Sequence, residues 1–127
     1  MIDIKRSTTK LLLVQGILCE NYQEQFFKDL ELCRDMTVER SVLTNGLQHP
    51  LLIDIRKVRY LSFEVREYLL CDVARGNCNA IAILADDVFS KLQRDTLLVF
   101  HNKIDGIPVK TFSRLDKAVR WLQCYLV

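Results

Sequence analysis

The stretch "PLLIDIRKVRYLSFEVREYLL", Pro50 to Leu70, decides the fold. It opens on an unbroken apolar run that ends in an acid, Asp54. Continuous runs of this kind suit a strand buried on both faces of a parallel sheet. A short basic loop follows, carrying Arg56, Lys57 and Arg59. Ser62 then stands where a helix N-cap belongs, with Glu64 in the first turn and Val65, Tyr68, Leu69 and Val73 at helical spacing. Gly76 closes that helix. The segment therefore predicts strand, loop and capped helix, the repeating unit of an α/β sheet.

The pattern extends in both directions. "KLLLV" (10–14) and "GILCENY" (16–22) predict two strands joined by a tight break at Gln15-Gly16, where glycine supplies the backbone freedom a hairpin needs. "QEQFFKD" either extends the second strand or loops out. Asp29 caps a helix that ends at Asn45-Gly46, with Leu32, Cys33, Met36 and Leu43 on roughly one face. "AIAILA" (80–85) predicts another buried strand. Asp86-Asp87 opens a helix carrying Val88, Phe89, Leu92, Leu97 and Phe100, kinked where its periodicity slips after Leu92. "IPVKTF" (107–112) is the last strand. Ser113 with Asp116 approximates a capping box for a final helix with a stripe of Leu115, Ala118, Val119, Leu122 and Leu126, bordered by Trp121. The order is ββαβαβαβα in one domain spanning 1–127. Strands joined through helices make the sheet mainly parallel, and the opening hairpin makes it mixed.

Composition limits the function classes. The 127 residues carry 18 Lys and Arg against 16 Asp and Glu, and this near-neutral balance lacks the basic excess of a nucleic-acid binder. Five scattered cysteines without a CxxC predict reduced thiols, and two histidines cannot complete a zinc pattern. No apolar run reaches membrane-helix length, and the N-terminus lacks the apolar core of a signal peptide. A cytoplasmic protein with no cofactor, no membrane association and no nucleic-acid partner is expected.

The chemical motifs are sparse. Neither His49 nor His101 neighbours a cysteine or serine in a nucleophile motif, and no GxGxxG or Walker pattern occurs. "LLIDIR" resembles the strand end that bears the phosphorylated aspartate of response-regulator receivers, and Lys110 in "VKTF" resembles their lysine strand. A receiver also needs an acidic pair after its first strand, where this chain reads "LLLVQG". The simpler reading of Asp54 is an acid solvated at the end of a strand. The basic loop lies where open α/β sheets bind ligands, although a solvated loop covering apolar surface explains it as well. Phe26, Phe27, Tyr60 and Phe63 flank helix starts. Core packing accounts for most such aromatics, whereas an exposed Phe63 would be an interface anchor.

"LLIDIRKVRYLSFEVREYLL" resembles the core segment of STAS domains, the SpoIIAA-like fold of anti-sigma-factor antagonists, with Asp54, Val58 and Leu61 at the matching positions. A small set of bacterial STAS/Sec14-like proteins is more similar still, through "GIL", the segment around Ser62 and "IPVKTF…AVRWL", covering about Gly16 to Leu126. The resemblance implies an α/β fold that acts by binding. In the antagonists the helix start bears a phosphoacceptor serine. Here Glu64 falls at that position and Ser62 where the family has aspartate, so the usual kinase switch is absent and Ser62 is the remaining candidate phosphosite. The expected protein-docking surface comprises Arg59, Ser62, Phe63, Glu64 and Arg66. Homodimerisation through the amphipathic helices or the early strands is a second expectation. The Sec14-like likeness alternatively implies a carrier of a hydrophobic small ligand, held between the sheet and the helix around Leu92 to Phe100.

Overall fold

A computed structural model describes residues 10–23, 26–69, 76–86 and 107–126. Two strands, β1 (Lys10–Val14) and β2 (Ile17–Asn21), pair antiparallel. Gln15 and Gly16, between them, both have positive φ (53° and 82°), the signature of a two-residue hairpin turn whose twist matches the strands. At Gly16 an added Cβ would fall 2.9 Å from a methyl of the exposed Leu126, which can swing aside, so it is the positive φ that calls for glycine.

Next come the two-residue strand β3 (Phe26–Phe27) and helix α1 (Leu30–Thr44). Asp29 caps α1 by accepting the Leu32 amide at 2.9 Å, and Asn45 ends it in the left-handed conformation (φ 53°). Strand β4 (His49–Asp54) is buried along its whole length, as its unbroken apolar run requires. Its Pro50 cannot donate to a ladder, and the register against the neighbouring strand shifts between His49 and Pro50. The chain continues through β5 (Tyr60–Leu61), α2 (Phe63–Leu69), β6 (Cys78–Leu84), β7 (Val109–Phe112) and α3 (Leu115–Gln123).

The main sheet has the order β1-β2-β4-β6-β7, with β2, β4, β6 and β7 parallel and β1 antiparallel at one edge. The mixed, mainly parallel α/β architecture expected from the sequence is borne out. Alternation along the strands sends side chains to two cores. Leu18, Leu51, Ile53, Ile81 and Ile83 meet Leu32, Cys33 and Met36 of α1 and Val65 of α2. Ile17, Leu52, Ala80, Ala82 and Leu84 meet Ala118 and Leu122 of α3. The alanines of β6 all face α3, and small residues there let the helix lie close to the sheet.

Four expectations change in detail. The "QEQFFKD" segment neither extends β2 nor simply loops out, because Phe26–Phe27 pairs parallel with Tyr60–Leu61 as a separate ribbon. Ser113 does not cap α3. The capping position is Arg114, without a side-chain cap bond, and Asp116 instead takes two hydrogen bonds from the Arg114 guanidinium (3.1 and 2.8 Å). The stripe on α3 is narrower than its spacing suggests, since Ala118 and Leu122 are buried while Leu115 and Leu126 are exposed. Asp54 is not a solvated acid, as described below. The expected kinked helix, from Asp87 to its end, and the close of α2 before Gly76 lie outside the described residues.

Candidate functional site

The C-terminal ends of the parallel strands form one corner of the molecule. Here β4 runs out at Asp54, whose side chain is largely buried and fully engaged. Oδ1 accepts the Arg56 amide (3.1 Å) and the Arg56 Nε (3.0 Å), and Oδ2 accepts a terminal guanidinium nitrogen at 2.8 Å. This two-pronged pairing holds the loop in a turn. It also raises the Arg56 pKa, chiefly through the hydrogen bonds that its guanidinium donates to Asp54. The turn closes with the Val58 amide donating to the Ile55 carbonyl (3.1 Å), and Ile55, Val58 and Leu61 sink into the core. What looks like a basic loop is thus an apolar plug with its charges turned outward. Arg59 donates to the carbonyls of Arg56 and Val58 (3.1 and 3.3 Å) and lies 3.5 Å from the Asp86 carboxylate, while Lys57 is exposed.

Ser62 follows, buried, with its Oγ accepting the Val65 amide at 3.2 Å. It is the N-cap of α2, as its spacing predicts. The hydroxyl faces the helix backbone, so a kinase would have to open the first turn of α2 to reach it. Ser62→Ala lowers stability by about 1 kcal/mol, whereas Ser62→Gly loses only a few tenths more than a good cap. Urea titration of the two variants checks this, and an unchanged midpoint for the alanine variant would remove the capping role.

Phe63 and Glu64 stand fully in view. Phe63 is 67% exposed, and it is joined by Phe26 at 65% and Tyr60 at 46%. The Phe26 and Tyr60 rings lie 6.4 Å apart across the β3–β5 ribbon, an aromatic cross-strand pair. Phe63 follows Tyr60 by three residues, so their Cα atoms lie within about 11 Å. Arg66 is partly buried, and its Nε is hidden without a hydrogen-bond partner. The structure therefore brings Arg59, Ser62, Phe63, Glu64 and Arg66 to one corner, with Phe63, Glu64 and Arg59 outward and Ser62 inward. Phe26 and Tyr60 form an exposed aromatic pair on the ribbon that leads into Ser62. Sequence reasoning noticed both rings but assigned them to packing, because pairing across the ribbon is non-local.

A second polar group lies inside the α1 side of the sheet. Glu20, Tyr22 and Arg40 are buried together, with Arg40 donating to Glu20 Oε2 at 2.7 Å and the Tyr22 hydroxyl donating to Oε1 at 3.1 Å. Burial alone would lower the Arg40 pKa, and the adjacent Glu20 carboxylate lifts it above the usual value. Nearby, His49 and Cys78 meet from the starts of β4 and β6. The His49 Nδ1 lies 2.9 Å from the Leu47 carbonyl, which only accepts, so Nδ1 carries the hydrogen and Nε2 faces Cys78 Sγ at 3.7 Å. Nothing in the local sequence of either residue signals this contact.

Burial lowers the His49 pKa, with Arg40 adding to the effect. The imidazole is thus a poor base for the thiol, and the pair fits a hydrogen-bonded core contact better than an activated nucleophile. Burial likewise pushes the Cys33 thiol up to about 12. Because His49 is held below its unfolded value of 6.5, the unfolded chain binds the proton more readily. Its contribution is fully present above pH 6.5 and is lost as pH falls through and below that value. Denaturant titrations between pH 7.5 and 5 should show this loss, and His49→Gln should flatten it. An equal slope in both proteins would assign the pH dependence elsewhere.

Among the described residues, no three His, Cys, Asp or Glu side chains come together as a metal-ligand group, and no helix is long and apolar enough to cross a membrane. Asp54, with both carboxylate oxygens held by Arg56, does not offer the free ligand a receiver needs. The segment expected to wall a carrier cavity, around Leu92 to Phe100, lies outside the described residues.

A mainly parallel sheet with an antiparallel edge, covered by helices on both faces, defines a SpoIIAA-like α/β domain. Its likeness to a solved structure agrees. An uncharacterized protein of the DUF3478 family from Shewanella loihica PV-4, with a SpoIIAA-like fold, superposes with a TM-score of 0.60. The two share 20% identity over 91% of this chain and 92% of that one, a likeness of fold. The chain itself belongs to the family described as "Domain of unknown function (DUF7793)", whose model matches residues 11–126. No curated protein matches it.

Proposed function

We propose that this protein is a non-catalytic, STAS-like regulatory domain of a reducing cytoplasm that works by docking to protein. The observation that carries the reading is the exposure of Phe63, Phe26 and Tyr60 where the β3–β5 ribbon leads into α2. Single exposed apolar residues are ordinary, but a paired Phe26 and Tyr60 and a two-thirds exposed Phe63 on consecutive elements suit an interface, where aromatics are enriched. Tyrosine and arginine at such sites carry a disproportionate share of binding energy. Asp54, Arg56 and the buried Val58 hold the platform rigid, so little ordering is lost on docking. Glu64 gives the corner a fixed negative charge that no kinase needs to supply. The free thiols of Cys19, Cys33, Cys78 and Cys124 suit a reducing compartment.

A photoreactive phenylalanine analogue in place of Phe63 tests this in cells. It should crosslink to protein, while the same analogue at exposed Lys117 on α3 should not. Equal labelling from the two positions would refute the docking surface.

A further inference from the structure

We propose that the outer edge of β7 accepts an extended, acidic segment of a partner protein as a further strand of the main sheet. The site uses none of the residues of the aromatic corner. β7 ends the sheet, and among the described residues no strand pairs with its outer side. The Ile81 and Ala85 amides donate to the carbonyls of Pro108 and Phe112 (3.0 and 2.9 Å). These two residues, and Lys110 between them, therefore turn their backbone groups towards β6. Direction alternates along a strand, which leaves the N–H and C=O of Val109 and Thr111 facing outward. That is the row of donors and acceptors an added strand uses.

Side chains beside this edge supply the rest. On the α3 side Phe112, Trp121 and Tyr125 are partly buried and stack in series, with ring centroids 5.6 and 5.1 Å apart. The ammonium of exposed Lys110 lies 5.5 Å from the Phe112 ring centroid, and exposed Lys117 stands one turn before Trp121. Alternate residues of a docked strand would face this shelf, apolar ones against the rings and acids beside the two lysines. The charges nearby favour an acidic occupant. β7, α3 and the turn between them carry Lys110, Arg114, Asp116, Lys117 and Arg120, and Asp116 is paired with Arg114 at 2.8 Å. At the end of β6, Asp86 lies 3.5 Å from Arg59. Lys110, Lys117 and Arg120 are left without an acid among the described residues. A second copy paired about a two-fold axis would bring like charges together, and a lysine on a short edge strand is a usual guard against self-pairing.

Amide exchange and peptide selection test this. In the free protein the Lys110 amide should exchange slowly by NMR, and those of Val109 and Thr111 quickly. A display library of random peptides about ten residues long, the upper length of a common strand, is selected on the intact protein. The peptides recovered should alternate apolar residues with Asp or Glu. They should shift the emission of Trp121, the chain's single tryptophan, and slow exchange at Val109 and Thr111. Methylating alternate peptide amides, a change that leaves the protein untouched, should weaken binding about tenfold or more. Thr111→Pro removes an outward N–H and none that β6 uses, so it should do the same with an unchanged circular dichroism spectrum. Lys110→Glu/Lys117→Glu should turn the selection towards lysine-rich peptides.

Recovery of no binder, of binders without an excess of acid, or of binders that tolerate the methylation overturns the proposal. So does slow exchange of the Val109 and Thr111 amides in the free chain. A wild-type dimer that Thr111→Pro dissolves would overturn it in favour of a second copy on this edge. Phe63→Ser should leave the peptide results unchanged, which separates this site from the docking corner.

Discussion

Replacing Arg40 by methionine should destabilise the fold by about 3–5 kcal/mol, because it strands a carboxylate in the core. A domain's whole margin is about 5–15 kcal/mol, so the variant should show a large fall in its urea midpoint. Glu20 and Arg40 have side-chain exposures of 4% each and lie 2.7 Å apart. The carboxylate cannot turn to water when its partner is removed. The pair as a whole contributes far less than this, since both ions left water to form it. Replacing the three together, as Glu20→Leu, Tyr22→Phe and Arg40→Met, should therefore recover much of the loss. A cost below about 1 kcal/mol for Arg40→Met alone would place the pair with surface bridges and contradict its burial.

Two adjacent residues of β6 should fail in opposite ways. Ile83, fully buried against the α1 face, loses about 2–5 kcal/mol as alanine through lost contacts and the space left behind. Ala82, equally buried, faces α3, and Ala82→Ile should cost about 1–3 kcal/mol by forcing the helix away from the sheet. The double exchange keeps composition and hydrophobicity yet should be the least stable of the three. Thermal and urea unfolding of the series would measure this. A tolerated double exchange would mean that the two faces of β6 are interchangeable, which the separate cores do not allow.

Much of the fold was legible because its determinants are local. The buried runs of β4 and β6, the cap at Asp29, the left-handed stop at Asn45, the turn at Gln15-Gly16 and the cap at Ser62 each depend on residues within a few positions. Where the reading missed, a distant partner or a competing bond decided the outcome. Phe26–Phe27 is a strand only because Tyr60–Leu61 lies beside it. Glu20 and Arg40 drew no reading from the sequence, because their pairing exists only once β2 and α1 are brought together. His49 meets Cys78 only through the register of β4 and β6. At α3 the Arg114–Asp116 pair took the acid that a box with Ser113 would have used. At the candidate site, Ser62 and Phe63 were readable as cap and anchor from their place at the helix start. Asp54 was not, since its burial depends on Arg56 folding back over it.

The arrangement of layers also has a consequence for synthesis. Leu52, Ala80, Ala82 and Leu84 are sealed by Ala118 and Leu122, which belong to a helix encoded after every strand. A growing chain can assemble β2, β4 and β6 before α3 is made. Among the described residues the helical cover of this side is α3 alone, and translation at about 5–20 residues per second delivers it a second or more after β6 appears. Whatever else the cell asks of this domain, its ribosome-bound form completes this second core only when residues 115–123 arrive.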